Sequence, residues 1–93
     1  MDIPSKVKVG GIWYKVKIVP AKKIDHKAAR TVFDISTIFI GKELEINQKW
    51  VGLFHEIVHT INVEYTELAS EFLAQAIFQV LVDNKILKVG GKK

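Results

Sequence analysis

The chain of 93 residues contains no cysteine, only two prolines and a single methionine. Without cysteine there is no disulfide and no thiolate ligand, so a site for a soft or borderline metal would have to be built from histidine and carboxylate side chains. The chain has only three histidines. Two of them in one short motif therefore carry more weight than they would in a histidine-rich chain.

Long apolar segments are missing as well. The first ten residues contain no apolar stretch typical of a signal peptide. The most apolar stretch, in the last third, is interrupted by Glu71, Gln75 and Gln79, which is not the pattern of a membrane span. We therefore expect a cytoplasmic protein without membrane contact. The length and the apolar fraction of 48% indicate one folded domain, residues 1–93.

Acidic residues are in the minority, with ten against fourteen basic ones and a net charge of +4. Many of the lysines alternate with Val and Ile, as outward-facing positions of strands do, and no motif typical of nucleic-acid-binding proteins accompanies them. We interpret this excess as solvated surface. The sequence therefore makes nucleic acid an unlikely partner.

The first part of the chain, residues 1–41, has the period-two pattern of β-strands. Residues 6–20 predict a hairpin that turns at Gly10-Gly11 and ends at Pro20. Residues 21–30 fit a short helix or an irregular excursion, and the pattern does not decide between them. Two more strands are predicted at 31–35 and 37–40, so we expect a small antiparallel sheet of three to four strands.

The pattern changes to the helical period of 3.6 from about Ile46. One helix is predicted at about 46–62, with an apolar face opposite its histidines. A short connection leads to a second helix at about 66–85, whose N-cap is Thr66. Its apolar residues lie almost all the way round, which indicates packing on several sides. Residues 88–93 are predicted to be a flexible tail, and the whole pattern predicts an α+β fold.

The first helix contains His55-Glu56-Ile57-Val58-His59, an HExxH motif. Histidines four residues apart lie one turn apart on one helix face, where both imidazoles can bind one Zn²⁺. Glu56 lies about 100° further round the helix. It is therefore placed to take a proton from a zinc-bound water rather than to bind the metal itself. Two surface histidines beside an ordinary helix charge are the simpler alternative.

A catalytic zinc usually has a third protein ligand, and the second helix offers Glu67 and Glu71. A short connection makes the two helices antiparallel, which brings Glu67 near His59 and Glu71 near His55. Both glutamates remain candidates on this argument. A favourable interaction of Glu67 with the helix dipole is the alternative reading of that residue.

Residues from about 31 to 85 resemble the minimal gluzincin-type metallopeptidases of phages and other mobile elements, with the ImmA/IrrE-like group as the nearest relatives. These families follow HExxH with a helix of pattern E-x-x-A-N-x-F-A, and the corresponding segment here is Glu67-Leu68-Ala69-Ser70-Glu71-Phe72-Leu73-Ala74. The resemblance implies that Glu67 is the third zinc ligand and that Glu71 supports a ligating histidine. It also implies a minimal zincin-like fold and a phage origin.

The resemblance implies a zinc-dependent metallopeptidase that hydrolyses peptide bonds, with Glu56 as the catalytic base and a peptide or protein as substrate. The alternative is a catalytically silent module that keeps the fold for binding or regulation. In related peptidases the strand before the zinc helix, here residues 37–40, is an open edge that takes an extended substrate; an edge strand that only packs on the core is equally compatible. A homodimer is possible for so short a chain.

Overall fold

The computed structural model describes residues 2–61 and 66–88. The predicted connection between the helices and the tail beyond residue 88 lie outside these ranges. Within them the chain forms an α+β fold, as predicted, with four strands and two helices. The strands are β1 (Lys6–Val9), β2 (Ile12–Val19), β3 (Ala29–Val32) and β4 (Thr37–Gly41), and the helices are α1 (Ile46–Ile61) and α2 (Glu67–Asp83).

The strands form one mixed sheet in the order β1-β2-β4-β3. The expected antiparallel pairing holds for β1 with β2 and for β3 with β4, but β2 and β4 are parallel. Residues 37–41 lie inside the sheet, where they pair with β2 on one side and with β3 on the other. Ile38 and Ile40 have no exposed surface. The expectation that residues 37–40 form an open edge is therefore wrong. The edge strand on this side of the sheet is β3, which pairs with β4.

The hairpin between β1 and β2 follows the sequence prediction. Gly10 and Gly11 form its two-residue turn with φ angles of 57° and 84°. Both lie in the left-handed region, which glycine enters without a steric penalty and which this kind of hairpin turn requires.

The chain between β2 and β4 differs from its prediction in detail. Residues Ala21–Ile24 form a 3₁₀ turn, and β3 begins at Ala29, two residues before the predicted strand. Phe33–Ile35, predicted as strand, is a second 3₁₀ turn. The Ser36 N–H donates to the carbonyl oxygen of Phe33 at 3.0 Å, and Ser36 has a φ of 46°. This bonded turn reverses the chain, so that β4 can pair with β3.

The two helices lie close to their predicted positions. The Ala69 N–H donates to the Thr66 hydroxyl at 3.1 Å, so Thr66 is the N-cap of α2 as predicted. Trp50 and Leu53 of α1 join the buried residues of one sheet face in a single core. In α2, however, many apolar side chains are exposed, and the expected packing on several sides is wrong for this helix. These exposed residues are Leu68, Phe72, Leu73, Ile77 and Val80.

Within the described ranges, neither helix combines the length and the apolar character that a membrane crossing requires.

Candidate metal centre

The two histidines of α1 point their rings in the same direction. Because they are four residues apart on one helix, the rings lie one turn apart, and their centroids are separated by 4.8 Å. The Nε2 atoms of His55 and His59 are only 3.0 Å apart. Both side chains are largely buried, with 14% and 15% of their surface exposed. This arrangement agrees with the orientation predicted from the HExxH spacing.

Glu67 at the start of α2 completes a three-residue group. One carboxylate oxygen lies 2.8 Å from His55 Nε2, and the other lies 3.3 Å from His59 Nε2. The potential donor atoms of His55, His59 and Glu67 all lie within 4.8 Å of one another, a separation that one metal ion can bridge. Two ligands held 2.0–2.1 Å from a tetrahedral zinc are about 3.3 Å apart. The observed separations of 2.8–3.3 Å therefore fit zinc with little adjustment.

Glu71 contacts the opposite side of the His55 ring. Its Oε1 atom lies 2.9 Å from His55 Nδ1, and its Oε2 atom accepts a hydrogen bond of 2.7 Å from the Gln75 amide. A carboxylate in this position accepts the Nδ1 proton, which leaves the Nε2 lone pair for a metal. The sequence argument left Glu67 and Glu71 as alternatives. The geometry gives each a different contact, with Glu67 beside both Nε2 atoms and Glu71 beside Nδ1.

The charges around His55 shift three pKa values. Burial works to lower the pKa of His55, but the hydrogen bonds with Glu71 and Glu67 outweigh it, so that this pKa is raised. The hydrogen bond with His55 holds the pKa of Glu67 below its ordinary value. The pKa of Glu71 is also lowered, first by the Gln75 amide and then by His55. Without a metal, the group therefore favours a protonated His55 between two carboxylates.

Glu56 lies beside this group and is held by a residue from the sheet. Only 8% of Glu56 is exposed. The Thr31 hydroxyl donates to its Oε1 atom at 2.6 Å, which fixes the direction of the carboxylate. Thr31 belongs to β3 and lies 25 positions earlier in the chain. The sequence pattern gave no sign of this contact, because it depends on which strand packs against α1.

The group opens into a cleft of about 1070 Å³ between the helices and β3, which is lined by His55, Glu56, His59, Glu67, Glu71 and Thr31 among others. Gly52 of α1 faces Ala29 of β3, and a Cβ atom at Gly52 would make an ordinary contact of 3.5 Å with the Cβ of Ala29. The Gly41 N–H donates to the Ala28 carbonyl at 2.8 Å. Bonded and non-bonded residue pairs alternate along antiparallel strands, so Ala29 and Thr31 belong to the non-bonded pairs. Their backbone N–H and C=O groups therefore point away from β4, toward the edge of the sheet that β3 forms.

The remaining sequence candidates lie elsewhere. His26, the third histidine, lies in the turn before β3 with a φ of 59°, and it is not part of the histidine–glutamate group. Tyr65, which precedes the N-cap of α2 and carries a hydroxyl that can donate a hydrogen bond, lies outside the described residues.

Comparison of the chain with family models, with curated proteins and with solved structures finds no match. The resemblance to gluzincin-type peptidases therefore rests on the motif and on the segment after it. The assignment of a function has to be argued from the geometry of the cleft.

Proposed function

We propose that this protein is a zinc-dependent metallopeptidase. The observation that carries the proposal is the convergence of His55, His59 and Glu67 within 4.8 Å, with Glu56 lining the same cleft. Two imidazoles and one carboxylate are a ligand set used by catalytic zinc sites, which keep one coordination position open. Zinc in this position supplies a Lewis acid that polarises a carbonyl group and acidifies a water molecule.

In this proposal Glu56 is the general base. Its carboxylate takes a proton from the attacking water and returns it to the leaving amine. The hydrogen bond from Thr31 occupies Oε1, so that the second oxygen is the one directed to the water. Thr31 is a positioning residue, because it acts through Glu56. Glu71 has a comparable task at His55, whose ring it orients through Nδ1.

The substrate in this proposal is an extended peptide that pairs with β3. The backbone groups of Ala29 and Thr31 that point away from β4 border the cleft. Among the described strands β3 has no second neighbour, and a strand edge of this kind binds a peptide by main-chain hydrogen bonds. A peptide on this edge passes close to Glu56, because the backbone of Thr31 forms part of the edge and its hydroxyl group binds the Glu56 carboxylate. In this proposal β3, and not residues 37–40, supplies the strand edge that binds the substrate.

The alternative function is a silent binding module that uses the same cleft without turnover. It is favoured by the burial of Glu56, because the hydrogen bond from Thr31 to its Oε1 atom gives a buried carboxylate a partner within the protein. A buried glutamate with this partner stabilises the packing of β3 on α1 whether or not a reaction occurs.

Glu56→Gln separates the two functions. Glutamine keeps an oxygen that accepts the Thr31 hydrogen bond, so we expect the variant to fold and to bind zinc as the parent protein does. Zinc content is measured by elemental analysis, and hydrolysis is measured by mass spectrometry on a mixed peptide library. Loss of a general base lowers the rate by about 10²–10⁴-fold. Glu45→Gln, which removes the same charge before α1, is the matched control.

Cleavage by the parent and Glu45→Gln proteins, with at least about 100-fold less by Glu56→Gln, supports the peptidase. Zinc binding without cleavage by the parent protein supports the silent module. A parent protein that takes up no zinc contradicts the peptidase, and it leaves only a silent module that works without metal.

A further inference from the structure

The sheet has a second face, opposite the helices, and its composition differs from that of the core face. Residues paired across neighbouring strands point to the same side of a sheet. The register therefore gathers one set of side chains on this outer face. We call its charged and aromatic members the basic sheet face, and they are Lys6, Lys8, Trp13, Lys15, Lys17, Arg30 and Phe39. The same side also holds Val19, Val32 and Thr37.

The basic sheet face carries charge of one sign. All five of its cationic residues are exposed, and none of the four strands contains an aspartate or a glutamate. Lysines that serve only as solvated surface are usually mixed with acidic residues. The alternation of lysine with valine and isoleucine was interpreted as ordinary surface because the sequence does not reveal which lysines share a face.

Aromatic rings lie among these charges. Trp13 is 54% exposed, and the ammonium groups of Lys6 and Lys8 lie 4.7 Å and 5.7 Å from its ring centre. Phe39 pairs with Lys17 on the neighbouring strand, which puts it about 14 Å from Trp13 given the spacings of residues and strands in a sheet. Along β2, Lys15 lies between Trp13 and Lys17, the residue with which Phe39 pairs.

We propose that the basic sheet face binds single-stranded nucleic acid. Cationic side chains in rows neutralise phosphates, and exposed aromatic rings stack on bases that are free of a partner strand. A duplex hides its bases from such rings, so that single strands are the form that uses both features. This proposal does not depend on the peptidase function, because the cleft lies among the helices and the edge of β3.

The test measures fluorescence anisotropy of labelled oligonucleotides of about 15 nucleotides, one of deoxythymidine and one of uridine, with the full chain. Lys15→Gln/Lys17→Gln removes two cations from the centre of the face. Lys85→Gln/Lys88→Gln is the matched control, since it removes the same charge from exposed positions after α2. Arg30 is left intact because it also borders the cleft.

We expect binding that weakens with salt, since each phosphate neutralised on a single strand contributes about −0.7 to the slope of log affinity against log salt concentration. Five contacts give a slope of about −3.5, and Lys15→Gln/Lys17→Gln reduces its magnitude by about 1.4. Trp13→Ala is expected to weaken binding about tenfold through lost stacking. Thermal unfolding verifies that each variant is folded.

Three results would overturn the proposal. The first is the absence of binding to both oligonucleotides at low salt. The second is an equal loss in Lys15→Gln/Lys17→Gln and its control, which indicates attraction by net charge alone. The third is equal affinity for a duplex of the same length together with no effect of Trp13→Ala. Stronger binding of the uridine than of the deoxythymidine oligonucleotide, or the reverse, identifies RNA or DNA as the preferred ligand.

Discussion

Replacement of Glu67 by alanine tests the metal centre most directly. The change removes both oxygens that lie 2.8 Å and 3.3 Å from the Nε2 atoms of His55 and His59, so that only two protein ligands remain. Glu71→Ala instead removes the acceptor of the His55 Nδ1 proton. Loss of such an outer partner typically lowers metal affinity by about 10–100-fold. We expect Glu71→Ala to fall in this range and Glu67→Ala to lose more than about 100-fold.

The two variants are matched controls for each other. The residues lie one helical turn apart and each substitution removes one negative charge, so that the general electrostatic effect on a cation is similar. The Glu67 side chain is 82% exposed and that of Glu71 is 42% exposed, so neither change creates a core cavity. Zinc affinity is measured by competition with a chromogenic chelator, and thermal unfolding without zinc verifies the fold.

The order of the two losses decides the result. A greater loss in Glu71→Ala would assign the third ligand to Glu71 and refute the roles derived from the contacts of Nε2 and Nδ1. Equal small losses would show that neither carboxylate completes a coordination sphere, and that both serve only as partners of a protonated His55.

Three further predictions concern the site and its support. Thr31→Val removes the hydrogen bond to Glu56, so for the peptidase we expect a lower kcat with little change in KM. Thr31→Ser should restore kcat, and an unchanged kcat in Thr31→Val would contradict the positioning role. Because the folded pKa of His55 is raised, its stabilisation of the zinc-free protein is present below about pH 6.5 and is lost as the pH rises through that folded pKa. Zinc binds only the neutral imidazole ring of His55, so zinc binding at mildly acidic pH should release a proton. Calorimetry in buffers of different ionisation enthalpy measures this release, and zinc binding without it contradicts the prediction. The buried Ser70 hydroxyl has no hydrogen-bond partner among the described residues, so Ser70→Ala should raise the free energy of unfolding by about 1 kcal/mol, as denaturant titration measures, and a loss of stability would reveal an additional partner.

The parts of the site that the sequence predicts are those set by local geometry. The spacing of His55 and His59 determines that their rings share a face of α1, whatever the rest of the chain does. The short connection to α2 limits the second helix to an antiparallel path, which brings Glu67 and Glu71 to these rings. The sequence did not assign the two carboxylates from this argument alone, because their roles depend on which ring nitrogen each one meets.

The parts that the sequence does not predict depend on contacts between distant segments. The period-two pattern identifies residues 37–40 as a strand but contains no information on its neighbours. Its position between β2 and β3 depends on pairing with other segments of the chain, which the pattern does not specify. The same assembly brings Thr31 to Glu56.

One structural cause underlies both proposals, since in the described part of the chain α1 covers one side of the sheet and the charged side chains lie on the other. The core face needs cover for Ile38, Ile40 and their neighbours, and α1 supplies that cover with the same helix that carries the histidines. The outer face has no such requirement, so its alternate positions are free to hold charge. Along β3 the two uses meet in consecutive residues, because Thr31 points to α1 and Arg30 points to the outer face. A shift of β3 by one residue would turn each of its side chains to the opposite side of the sheet. It would remove both the hydrogen bond that Thr31 donates to Glu56 and the charge that Arg30 adds to the basic sheet face.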